Sequence, residues 1–157
     1  MKRTIGALSI LGLAVAGESR ARPASLVGEW RLDPHESEMA GGEEAPAELV
    51  MAITEDDARG FRWTVTVKTA DGQTGATRFD GAIDGRPYPV PGRPGATSAF
   101  SWTPDGALKQ VSESPGGIAV ETCSFSADMR VMTCEGRQTD LSGRAQGYVA
   151  VFDRAGR

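Results

Sequence analysis

The chain is poor in the residues that most often carry chemistry. Its 157 residues include two cysteines, one histidine, three tryptophans and two tyrosines. A single histidine falls short of a zinc site or a partnered haem. His35 sits in Asp33-Pro34-His35-Glu36-Ser37, a polar stretch expected to be a solvated loop. A Ser-His-Asp hydrolase would have to use that same residue, and the chain has no Gly-x-Ser-x-Gly elbow. Cys123 and Cys134 are too widely spaced for a CxxC redox pair. No metal and no cofactor are therefore expected. Basic clusters are missing as well: 17 Lys and Arg are scattered among 21 Asp and Glu, for a net charge of −4. Phosphate backbones reward a concentrated basic face, so nucleic acid is not an expected partner.

Long apolar runs are also lacking. Ile5 to Ala16 is about a dozen residues, preceded by Lys2 and Arg3. A membrane span needs roughly twenty, whereas a signal-peptide core is this short. Ala14-Val15-Ala16 and Ser19-Arg20-Ala21 both fit small-x-small cleavage, so residues 1–21 read as a signal peptide cut near 16 or 21. The alternative is a buried N-terminal helix. No cysteine follows the run to take a lipid anchor. The expectation is a periplasmic or secreted protein without a membrane span, its remaining residues, 22–157, forming a single domain.

What the chain does have is turns and alternation. Twenty glycines and nine prolines punctuate it. In Phe61 to Thr69, Phe61, Trp63, Val65 and Val67 share one face, while Arg62, Thr64, Thr66 and Lys68 share the other. Period two with aromatic and β-branched residues is a half-buried strand. Leu49, Met51 and Ile53 alternate likewise, and Asp71-Gly72 leads by a favoured hairpin dipeptide into a strand ending Thr77-Arg78-Phe79. Further strands read at 26–33, 97–102, 107–113, 118–126, 130–136 and 145–153, and a short helix is admitted only at 33–44. An antiparallel all-β meander of about 8–10 strands removes its edges by closing into an up-and-down barrel. An open two-sheet sandwich is the alternative.

The cysteines flank the Ala127-Asp128 turn. With a four-residue loop, 127 to 130, Cys123 stands opposite Cys134, and an oxidising compartment favours a disulfide. A three-residue loop would send the two sulfurs to opposite faces and leave free thiols. Under the first register Glu121 shares a face with Cys123 and Phe125. If that face is inward, Glu121 needs a partner, with Arg78 or Arg137 as candidates. The preferred expectation is the opposite facing, with Ile118 and Val120 inside and Glu121 solvated.

Gly28-Glu29-Trp30 at the first strand resembles the Gly-x-Trp opening of lipocalin-like barrels, in which the Trp plugs the floor beneath an Arg from the last strand. That resemblance implies structural roles for Trp30 and Arg154. The stretches LVGEWRLDPHESEM, RFDGAIDGRPYPVPG, SFSADMRVMTCEG and YVAVFDR resemble, in order, a group of exported, mostly uncharacterised bacterial lipocalin-like proteins. These have a Gly-x-Trp start, a YDG-x-x-YPV-x-G middle, an S-x-DG-x-x-x-T hairpin and a VYxR/K end. The resemblance implies a fold and no activity. Ile83-Asp84-Gly85 lengthens the middle motif here, and Asp128-Met129 replaces the Asp-Gly of the hairpin.

The expected function is binding of a small apolar or amphipathic molecule inside the barrel. Trp63, Phe79, Phe100, Trp102 and Tyr148 would form walls, beside small residues at Gly75, Ala76, Ser98 and Ala150, with Arg86 and Tyr88 on a proline-stiffened rim. One rival is a cofactor-independent isomerase, cyclase or lyase using Glu121, Tyr88, Tyr148 and Arg78 as acid/base groups. Another is a filled-core envelope protein, structural or inhibitory, acting through its loops. A desolvated carboxylate beside a Tyr or Arg would favour the enzyme. Glu55-Asp56-Asp57 reads as a polar loop before the strong strand, with a surface calcium site as its lesser alternative. Asp80, Asp84 and Asp105 precede glycines and read as turn caps.

Overall fold

The structure is a computed structural model that describes residues 23 and 25–156. Residues 1–21, read as a signal peptide, lie outside the described residues. The strands are β1 (Gly28–Leu32), β2 (Glu48–Asp57), β3 (Gly60–Lys68), β4 (Thr74–Gly81), β5 (Pro87–Pro89), β6 (Thr97–Trp102), β7 (Leu108–Ser114), β8 (Gly117–Phe125), β9 (Val131–Asp140) and β10 (Ala145–Arg154). They make one sheet in the order β4-β3-β2-β1-β10-β9-β8-β7-β6-β5, which disposes of the sandwich. The helix admitted at 33–44 is a single 3₁₀ turn, Ala40–Gly42, broken because Gly41 and Gly42 both take positive φ. Among the described residues no helix is long and apolar enough to cross a membrane.

The first and last strands pair, with Trp30 opposite Arg154 and Leu32 opposite Phe152, so the sheet curls into a nearly closed lipocalin-like barrel. Its two edges, β4 and β5, are consecutive in the chain and are not hydrogen-bonded neighbours. Pro87 and Pro89 carry no amide hydrogen, so three-residue β5 has little to offer a second partner. Side chains fill the slot instead. The Tyr88 ring meets Phe79 edge-on at 6.1 Å, and a Cβ on Gly81 would fall 2.7 Å from that ring.

Alternation places one set of side chains inside, and strand direction separates the two ends. At one end Trp30, Phe61, Phe79, Leu26 and Met132 are all but inaccessible. Trp30 Nε1 donates to the Leu26 carbonyl at 2.9 Å, and the Arg154 guanidinium lies 5.0 Å from the Trp30 ring. Phe61, Phe79 and Phe100 pack mutually, with centroids 4.7 to 6.0 Å apart. This is a sealed floor.

β2 breaks register between Ile53 and Glu55. Glu55, Asp56 and Asp57 are consequently the last residues of that strand and not a loop. The bulge brings Asp56 opposite Phe61, where its carboxylate accepts the Leu26 amide. Glu55 pairs with Arg62 and Asp57 with Arg59, so the three carboxylates do not converge on one point.

Candidate functional site

Above the floor most inward side chains are only partly buried. Leu49, Met51, Trp63, Val65 and Val67 point inward from β2 and β3, yet each keeps some accessible surface. Across the barrel, by the strand order, stand β7 and β8, whose inward residues above the floor include the polar Gln110, Ser112 and Glu121. Gln110 Nε2 donates to Ser112 Oγ at 2.8 Å, and Ser112 Oγ lies 2.8 Å from that of buried Ser98. The chamber thus has an apolar wall facing a hydrogen-bonding one.

Glu121 is the centre of the polar wall. Gln110 is opposite it on β7 and Gly136 on β9. Gly136 in turn faces Tyr148 on β10. A Cβ at position 136 would collide with the Tyr148 ring, so the glycine lets that ring lie across β9. The Tyr148 hydroxyl then donates to Glu121 Oε2 at 2.8 Å. Burial raises the Glu121 carboxyl above its ordinary value of 4.5, and the Tyr148 hydrogen bond opposes that rise only in part. The Tyr148 phenol is also pushed upward, first by burial and then by the carboxylate beside it. Glu121 Oε1 is 3.5 Å from Cys123 Sγ. That sulfur is disulfide-bonded and has no proton to give, so Oε1 receives no hydrogen bond from this neighbour.

The preferred facing of β8 is thereby reversed. Ile118 and Val120 are the outward residues, 49% and 39% exposed. The reason lies in the disulfide: Cys123 pairs with Cys134 and Phe125 with Met132 across a four-residue loop, 127–130, and both sulfurs are buried. Parity then carries Glu121 inward. Its partner is Tyr148; Arg78 and Arg137 are exposed on the outer face. The Glu121, Cys123 and Cys134 ligand-type atoms lie within 4.8 Å of one another, but the disulfide withholds both thiolates from any metal.

The other expected residues separate. Trp63 lines the apolar wall and stacks on Phe79 at 5.8 Å. Phe79 and Phe100 belong to the sealed aromatic floor, and Trp102 lies at the same end near Phe125. Ala76 and Gly75 are exposed, Ala76 on the outer face, while Ser98 and Ala150 are buried and inward. Tyr88 and Arg86 are not at the mouth. The Tyr88 hydroxyl donates to Asp84 Oδ2 at 2.9 Å, and Arg86 Nε donates to that oxygen at 2.7 Å. The cluster plugs the β4–β5 slot on the floor side. His35 is exposed in its loop. Gln110, Ser112, Leu49, Met51, Val65 and Val67 complete the chamber; Gln110 and Ser112 are the additions that alternation alone did not single out.

The mouth lies at the opposite end, beneath the segment joining β1 to β2. Glu38 forms an isolated bridge with Val149, and Gly41 lies against the Gln146 amide. An open groove of about 210 Å³ lies at this end, between the β7–β8 and β9–β10 turns, with Arg144 and Gln146 in its lining.

Two crystal structures of the fluorescent protein UnaG share this architecture. A point mutant of UnaG superposes with a TM-score of 0.57 at 15% identity, covering 84% of this chain and 97% of UnaG. The wild type gives 0.52 at 15% identity, covering 83% and 97%. No protein-family model and no curated protein sequence matches the chain. At this identity the likeness is one of fold.

Proposed function

We propose that this chain is an exported, lipocalin-like barrel that binds a small apolar or amphipathic molecule in its interior. The observation that carries the reading is the two-sided chamber. Leu49, Met51, Trp63, Val65 and Val67 keep accessible apolar surface while facing Gln110, Ser112, Glu121 and Tyr148. Inward side chains left accessible speak against a filled-core structural or inhibitory protein. An apolar pocket with a few convergent polar groups is the usual form of a small-molecule site. The buried Cys123–Cys134 disulfide supports a periplasmic or secreted location, where such bonds persist. Native mass spectrometry of protein purified from its own host tests the reading. A co-purifying small molecule is the expected result; a clean apo mass with no thermal shift across a lipid panel would sink it.

One observation favours the acid/base enzyme as a second reading: a desolvated Glu121 lies beside Tyr148. Of its other named groups, Arg78 is outside the barrel and Tyr88 is committed to Asp84. That leaves one proton-holding pair whose members bond to each other, an arrangement better suited to holding a polar group than to passing protons across a substrate. Turnover of a co-purified molecule by the wild type, lost in Glu121→Gln, would reverse the order of the two readings.

A further inference from the structure

The sign of the chamber's charge narrows the ligand class. Arg31, Arg62, Lys68, Arg78, Lys109 and Arg137 all alternate to the outer face of their strands. Arg154 is inward but belongs to the floor, where it covers Trp30 and bonds the Val27 and Met129 carbonyls. Arg93, in the 90–96 loop, bonds Thr77 on the inward face of β4, and no contact joins it to Glu121. Arg59, Arg86 and Arg130 sit in floor-side turns beside Asp57, Asp84 and Asp128, and Arg144 and Asp140 lie at the far end of the wall, by the β9–β10 turn. Level with Gln110, the ionisable groups of the polar wall are Glu121 and Tyr148. Neither has a cation beside it, and Glu121 Oε1 receives no proton from the sulfur it touches.

Resting on the binding reading above, we propose that the ligand is an amine, an ammonium group on an apolar body, whose N–H bonds to Glu121 Oε1 while the hydrocarbon lies on the β2–β3 wall. A carboxylate ligand at Glu121 would set two acids against each other in a poorly solvated place with no countercharge beside them. A neutral alcohol satisfies Oε1 but gains no charge-assisted bond. The strap over the mouth leans the same way, while Arg93 and Arg144 stand in other turns at that end. Residues 33–47 carry Asp33, Glu36, Glu38, Glu43 and Glu44 with no Lys or Arg, and Glu38 and Gly41 anchor this strap to β10. On the strap's side of the entrance these carboxylates favour a cation over an anion.

The groups facing Glu121 are Gln110 from β7, Cys134 and Gly136 from β9, Tyr148 from β10 and Cys123 on its own strand. Of these only Tyr148 titrates, and its raised phenol stays protonated near neutrality. Amine affinity should therefore fall as pH drops through the raised Glu121 carboxyl, while the amine itself remains charged.

The test is a calorimetric titration of the full mature protein with decylamine, decanol and decanoate, each below its aggregation concentration. A charge-assisted bond should make decylamine bind about 10- to 100-fold tighter than decanol, with decanoate weakest. Glu121→Gln, which keeps an acceptor for Tyr148, should bring decylamine down to the decanol level. If that variant does not fold by circular dichroism, the wild-type pH series carries the test alone. Decanoate binding as tightly as decylamine, or a pH-independent amine affinity, overturns the proposal and leaves the binding barrel standing. If none of the three binds to folded protein, the barrel reading fails along with it.

Discussion

Tyr148 and Glu121 are two strands apart and meet only because position 136 has no side chain. The meeting has a thermodynamic consequence that belongs to Glu121 itself. Its folded-state carboxyl is raised, with burial the larger cause, so the folded protein holds that proton to higher pH than the unfolded chain does. The stability conferred by the neutral acid is complete below the unfolded value near 4.5 and is lost as pH rises through the folded one. Glu121→Gln stays neutral throughout. Urea denaturation from pH 4 to pH 8 should thus show the variant gaining on the wild type as pH rises, with the gap levelling off above the raised carboxyl. Two parallel profiles would mean that Glu121 is solvated. Tyr148 limits the gain, because its hydroxyl bonds the charged form as well.

At the scale of elements, the β8–β9 hairpin decides which way the site faces. The Cys123–Cys134 bond joins directly opposed residues and closes a short loop. Reducing it should cost about 2–3 kcal/mol in the chain-entropy model, visible as a lower urea midpoint with dithiothreitol. The Cys123→Ala/Cys134→Ala double variant should match the reduced wild type. Unchanged midpoints would show that the bond constrains nothing the ladder does not already hold. This hairpin also marks how far the sequence could be read. Strand β3 was legible because Phe61, Trp63, Val65 and Val67 contrast sharply with Arg62, Thr64, Thr66 and Lys68. In β8, Ile118 and Val120 compete with Ala119 and Glu121, and local hydrophobicity points the wrong way; only the long-range demand that the disulfide be buried sets the parity. Gln110 and Ser112 were hidden for the same reason, since Val111 between them looks the better inward residue. The β2 bulge could not be read at all, because it depends on Leu26 offering its amide to Asp56 from outside the strand.

At the scale of the whole molecule, the barrel closes by different means on its two seams. β1 and β10 join by a ladder, with Trp30 and Arg154 reinforcing it through a cation–π contact. β4 and β5 join through rings, with Phe79 against Tyr88 and Tyr88 held by Asp84 and Arg86. The Pro-rich stretch that looked like a rim is thus the closure of an edge that backbone bonding cannot close. A ladder spreads its stability over many amides, whereas a ring contact concentrates it in one residue. Tyr88→Ala should therefore loosen the slot and leave the opposite seam intact, at about 2 kcal/mol for a half-buried aromatic. Hydrogen exchange followed by mass spectrometry separates the cases. Amides of β4 and β6 should exchange faster in the variant, while those of β9, β10 and β1 keep their protection, because local openings at the edge do not require the ladders to part. Uniform acceleration across all strands would mean that Tyr88 supports the global fold and that the slot is not a separate weak point. Unchanged exchange would mean that Phe79 and the floor close the barrel without it.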